Sequence, residues 1–270
     1  MEVRSAAPSA GSSVKLRFFT RPCFEEGAPR FSYTALALAL NILAGSALSQ
    51  DIPSYQARHA VDTITIDGHL DEFSWQIAPR VGRFRNILSP QRDGILPTQA
   101  AIVWSDRKLY VAFVCEDPRP WSTLFDRDSF LWNEEVVEVF LDPDGDGRDY
   151  PELEVSPNNV VVDLLIPEPP TPGTDPAIAA RWDIKGLRTA VQKHSAGWPV
   201  EIAIPWSALA DGGATKPPSF GDVWRVGLCR IERPGGDGSD QDPQFQAWSV
   251  TEKSFHEPSR FGRVEFIQGR

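Results

Sequence analysis

Leu131-Trp-Asn-Glu-Glu-Val-Val-Glu-Val-Phe-Leu-Asp142, running on into Pro143-Asp-Gly-Asp-Gly147, decides the fold class. Val137, Val139 and Leu141 alternate with Val136, Glu138 and Phe140. That period of two puts successive side chains on opposite faces of a β-strand. The residues from Asp142 to Gly147 are turn formers: Pro fixes φ, Gly reaches conformations closed to other residues, and Asp caps its own turn. A turn here separates this strand from the next, Glu152–Val155.

Working outward, strand-like segments recur at His59–Ile66, Gln99–Trp104, Leu109–Cys115, Val160–Ile166, Leu187–Gln192, Val200–Ile204, Val223–Glu232, Gln246–Val250 and Gly262–Ile267. The nearly continuous apolar run Val160–Ile166 suits a strand buried on both faces. Helical signals are short: Leu70–Trp75, and Pro205–Leu209, which begins with Pro at a helix-start position. Many strands with no long helix predict an all-β chain, a two-sheet antiparallel β-sandwich of immunoglobulin-like architecture with few short helices. The 24 Pro and 9 Trp favour short strands joined by rigid loops. No low-complexity linker divides residues 50–270, which predicts a single domain there.

Residues 1–49 read as a secretory signal. Arg30 precedes the apolar stretch Thr34–Ala44, and small residues at Ala47 and Ser49 suit cleavage before Gln50. The stretch is shorter than the roughly 20 residues a spanning helix needs. The segment ahead of Arg30 is long for a leader, which points to an over-extended N-terminus. The product is expected to be secreted, periplasmic or on the cell surface, with no membrane attachment after cleavage. Losing five basic and three acidic residues moves the net charge from −10 to −12. Such an acidic chain is unsuited to nucleic acid or anionic lipid, whose binding rests on Lys and Arg. Cys115 and Cys229 remain, each in a strand-like run, and either one disulfide or two buried thiols fits the sequence.

Five phrases carry a resemblance. They are Ile66-Asp-Gly-His-Leu-Asp-Glu-Phe-Ser-Trp75, Val103-Trp-Ser-Asp-Arg-Lys-Leu-Tyr-Val-Ala-Phe113, Leu131–Asp142, Gly197-Trp-Pro-Val-Glu-Ile-Ala-Ile-Pro-Trp206 and Pro258-Ser-Arg-Phe-Gly262. In this order and spacing they resemble the family 9 carbohydrate-binding modules and the wider DOMON-like superfamily. The resemblance implies a DOMON-like β-sandwich that grips a sugar between two aromatic side chains while polar residues read its hydroxyls. It also implies service in xylan- or cellulose-type polysaccharide catabolism, with any glycoside hydrolase a separate chain.

Carried over residue by residue, the resemblance makes Trp132 the first sandwiching ring and Glu138 the hydroxyl reader. Stacking of a sugar's C–H face on an aromatic ring and acceptance of hydroxyl protons by a carboxylate are the chemistry required. Phe255 stands where such binders carry a second Trp, with less stacking area and no N–H. Glu252 falls near a position for an amide side chain, and Arg230 approximates a further polar contact. Glu154 occupies a place that can carry Arg, a reversal of charge. Trp75, Trp104, Trp182, Trp198, Trp206 and Trp224 read as core, while Trp121, in the loop Asp117-Pro-Arg-Pro-Trp121, is the one of the remainder suited to line a groove.

Asp142, Asp144 and Asp146 have the spacing that opens an EF-hand calcium loop, but residue 153 is Leu where that loop needs Glu. An acidic turn is the preferred reading, and a structural Ca2+ completed by backbone carbonyls the alternative. Hydrolysis of O-glycosyl bonds needs two opposed carboxylates, and nothing in the sequence pairs Glu134, Glu135 or Glu138 uniquely. Met/His haem ligation is closed to the processed chain, because the one Met is Met1. The rival to sugar binding is a structural or adhesive sandwich without a ligand slot.

Overall fold

The computed structural model describes residues 51–89, 95–169, 182–214, 216–236, 239 and 241–269. The expected signal segment 1–49 lies outside these. Among the described residues the chain is mostly β, with one five-residue helix, α1 (Phe73–Ile77), and short 3-10 turns. The strands are β1 (Ser54–His59), β2 (Arg85–Asn86), β3 (Thr98–Trp104), β4 (Lys108–Glu116), β5 (Val136–Asp142), β6 (Tyr150–Val155), β7 (Val161–Ile166), β8 (Arg188–Val191), β9 (Gly197–Pro205), β10 (Val223–Glu232), β11 (Gln244–Ala247) and β12 (Gly262–Ile267). No helix among the described residues is long and apolar enough to cross a membrane.

Hydrogen bonding links the strands into one continuous sheet, in the order β7-β6-β5-β10-β12-β1-β3-β4-β9-β8. The expected two separate sheets are therefore joined. β1 makes the join: Ser54–Arg58 pairs with Arg263–Ile267 of β12, and Arg58–His59 with Val103–Trp104 of β3. Both pairings are parallel, which corrects the wholly antiparallel expectation. β10 shares one edge between β12 and β11, and holds β5 along the other. The strand expected at His59–Ile66 lies one segment earlier, because Tyr55 and Ala57 rather than Ile64 and Ile66 point into the main core.

Alternation assigns the faces. Val137, Val139 and Leu141 of β5 pack with Leu153, Val226, Leu228, Phe113, Trp198 and Ile202 in a core drawn from both arms of the curled sheet. The opposite parity, Val136, Phe140, Tyr150, Val162 and Ile231, packs with Leu131, Phe255 and Phe261 in a second cluster. β5 is buried on both faces. Cys115 belongs to the first cluster and Cys229 to the second, and both thiols are free. Burial pushes both thiols up, Cys115 to about 12.

The first and fourth phrases of the sequence meet at Glu201 on β9. Its buried carboxylate accepts hydrogen bonds from the N–H groups of Asp67 (3.0 Å) and Gly68 (2.8 Å) and from Trp75 Nε1 (2.8 Å). Gly68 has φ +88°, and a Cβ there would meet Gln192 Cγ at 2.7 Å. The Asp-Gly turn is thus fixed by both conformation and close approach.

Candidate functional site

Four strands and three connecting segments line a cavity of about 350 Å³ on the second face of the sheet. Trp132 enters on the 3-10 turn Leu131–Asn133 that feeds β5, and Glu138 from the middle of β5. Glu152 and Glu154 project from β6, Ile231 from β10 and Phe245 from β11, while Phe255 and His256 come from the loop before β12. Trp132, Glu138, Glu154 and Phe255, read separately from the sequence, share this one space. Most of its walls are apolar: Phe245 and Phe255 meet edge to face at 6.1 Å between centroids, and Phe130 stands 5.1 Å from Trp132. A wider hollow of about 640 Å³ lies beside the acidic loop, lined by Arg148, Glu168, Arg225 and Pro258. It has no aromatic platform apart from His256.

The carboxylates are the unusual part. Glu138 lies directly across the β5–β6 ladder from Glu154, and Glu152 stands two residues along from Glu154 on the same face. None is more than 4% exposed. Like charges placed opposite one another in a sheet are destabilising. Burial first, and the neighbouring carboxylates second, hold Glu138 and Glu154 well above the ordinary carboxylate range. Burial raises Glu152 to about 8. One oxygen each of Glu152 and Glu154 has no hydrogen-bond partner. His256 Nε2 is 3.8 Å from Glu152, but burial lowers this imidazole to about 4, so it stands there uncharged. The Tyr150 hydroxyl, 3.0 Å from His256 Nδ1, fixes the ring.

Glu257 builds the loop that delivers Phe255. Its carboxylate accepts the N–H groups of Glu252 (2.9 Å), Lys253 (2.7 Å) and Ser254 (3.3 Å). Glu252, expected at the site, is exposed and contributes this backbone bond without lining the cavity. Arg230 also lies elsewhere. On the other parity of β10, it is fully buried and bonded to Glu232, to Thr98 Oγ1 (3.2 Å) and to the Glu116 carbonyl (3.1 Å), with Trp198 5.8 Å away. Its charge answers a buried carboxylate group, Asp117, Glu135 and Glu232, whose oxygens lie within 4.8 Å of one another.

Asp142, Asp144 and Asp146 also bring oxygens within 4.8 Å and are, among the described residues, the second group that could hold a cation. Each carboxylate closes its own turn. Asp142 accepts from Gly145 N (2.9 Å) and Gly147 N (3.2 Å), Asp144 from Asp146 N (3.4 Å), and Asp146 from Arg148 N (2.8 Å). Burial raises Asp142 to about 6.

Sequence reasoning missed Glu152, Phe245 and His256. Glu152 carried a usable signal: in Pro151-Glu-Leu-Glu-Val155 two carboxylates share one face beside Glu138. Phe245 falls one residue ahead of the expected strand Gln246–Val250, and His256 carried no signal, since a loop brings it in.

A family model described as carbohydrate family 9 binding domain-like matches residues 66–269. A carbohydrate binding module family 9 from Caldicellulosiruptor kristjanssonii, solved in complex with cellotriose, superposes with a TM-score of 0.58. The two are 19% identical, with 80% of this chain and 94% of that one covered. The complex of such a module from the same organism with glucose gives 0.57, at 19% identity and coverage of 80% and 96%. At that identity the likeness is one of fold. An extracellular protein of Arthroderma benhamiae is 29% identical over 146 residues, 51% of this chain and 63% of its own length. The match thus spans less than two thirds of that relative.

Proposed function

The chain belongs to the carbohydrate family 9 binding domain-like family, and from that premise we propose that it is a secreted, non-catalytic module holding a sugar between Trp132 and Phe255. The observation that carries this reading is the meeting of those two rings with Glu138 in one cavity. A pyranose stacks its C–H face on the Trp132 indole, with Phe255 and Phe245 opposite, and donates hydroxyl protons to Glu138. The cellotriose and glucose complexes of modules with the same fold support the ligand class. The apolar run Thr34–Ala44 supports export, as does the description of the Arthroderma relative.

A binding role without hydrolysis also fits the disposition of the carboxylates. Glu138, Glu152 and Glu154 stand on one wall, formed by two adjacent strands. A glycosidase instead needs its pair to flank the scissile bond from opposite sides.

Titration of the purified protein with cello- and xylo-oligosaccharides, beside Trp132→Ala, tests the proposal. The wild type is expected to bind. The variant is expected to lose at least about tenfold in affinity, the scale of one lost stacking contact. Absence of binding to any sugar of a glycan array would leave the structural reading instead.

A further inference from the structure

The cavity holds more carboxyl groups than reading hydroxyls requires. Glu138, Glu152 and Glu154 crowd one wall, and the oxygens of Glu152 and Glu154 that lack partners are buried. No charged base answers them within: His256 is neutral, and the remaining cation of the lining, Lys253, belongs to an exposed stretch of the loop. Two uses of such a wall are open, a metal ion or an organic cation. The rest of the lining decides between them. The side chains of Trp132, Phe245, Phe255, Ile87 and Ile231 offer no oxygen to a metal, but aromatic faces attract an ammonium and stack on a sugar ring.

Resting on the carbohydrate reading above, we propose that the ligand is an amino sugar. The protonated amine of a 2-amino-2-deoxyhexose unit would sit against Glu152 and Glu154 while its ring stacks on Trp132. The cavity of about 350 Å³ lies at the small end of ligand sites, about 300–1,000 Å³, which suits one or two sugar units. An ammonium supplies three donors, enough to reach the one oxygen each of Glu152 and Glu154 that lacks a partner. Its charge lowers the cost of holding three carboxylates together. The raised acidity range of the three groups agrees with a wall that stays protonated until a cation replaces the proton.

The test is calorimetric titration of the full chain with three trisaccharides sharing the β-1,4 linkage: cellotriose, the glucosamine trimer and its N-acetylated form. Spermidine and calcium chloride are the cation controls, and the pH is mildly acidic, where the amine is charged. The glucosamine trimer is expected to bind about tenfold or more tighter than the two neutral sugars, the worth of one charge-assisted hydrogen bond. Glu152→Gln and Glu154→Gln should shrink that preference several-fold, read as the ratio of glucosamine-trimer to cellotriose affinity within each variant. Thermal melts of both variants establish that they are folded. Equal or tighter binding of cellotriose overturns the amino-sugar assignment and leaves the carbohydrate reading standing. Binding of no trisaccharide defeats both. Spermidine or calcium binding as tight as the glucosamine trimer overturns it too, as does a preference that survives the two Gln substitutions, since each reveals only a surface attraction of an acidic chain.

Discussion

Glu201 shows how one residue ties together motifs far apart in the sequence. It satisfies two N–H groups of the Asp67-Gly68 turn and the buried indole of Trp75. Removing a donor from a buried carboxylate strands that carboxylate, so Trp75→Phe is expected to destabilise the protein by about 1–3 kcal/mol. Chemical denaturation measures it, and a midpoint unchanged from wild type would refute the account. The phrases Ile66–Trp75 and Gly197–Trp206 were legible as a resemblance, but their mutual contact was not. Nothing local in Glu201, flanked by Val200 and Ile202, says that its side chain reaches a turn more than 130 residues earlier. The same limit applies to Arg230. Its charge marks it as polar from the sequence, whereas its buried partners Asp117 and Glu232 emerge only once β4 and β10 are in place.

At the scale of elements, strands with full alternation were legible to the residue: Val223–Glu232 and Gly262–Ile267 are β10 and β12 as read. The misreading at His59–Ile66 has a physical cause. Thr63, Ile64, Thr65 and Ile66 have strand propensity, yet they serve a turn region packed on α1. The true strand, Ser54–His59, has a weaker pattern but finds two partners. Of the site, the β5 and β6 residues could be placed from alternation. The loop residues could not, because a hydrogen-bonded carboxylate rather than a periodic pattern positions them. Glu257 holds that loop through three N–H groups. Glu257→Ala should therefore weaken sugar binding several-fold, by freeing Phe255 to move. It should shift the melting midpoint little, since the loop is on the surface. Unaltered affinity in the titration would show that the loop holds itself.

For the whole molecule, the buried carboxylates set the response to pH. Glu152 at about 8 and Glu232 at about 7 lie above the ordinary 4.5, as do Glu138 and Glu154. The folded protein therefore holds protons that the unfolded chain releases. The stability from these groups is full below about 4.5 and is lost as pH rises through about 8. His256, lowered from 6.5 to about 4, works the other way and costs stability in acid. With several carboxyls against one imidazole, the melting temperature is expected to be higher near pH 5.5 than near pH 8.5. Glu152→Gln should flatten the decline. A melting temperature that rises across this interval would contradict the buried-acid picture.

The parallel strand β1 has a consequence for timing. Its first five residues have their partners at Arg263–Ile267, within a few residues of the far end of the domain. A chain still being synthesised has the first strand of the domain and lacks the strand that receives it. The seam between the two arms of the sheet stays open until β12 has been made. Closure is thus a late event, and a nascent chain cannot lock prematurely into its final form.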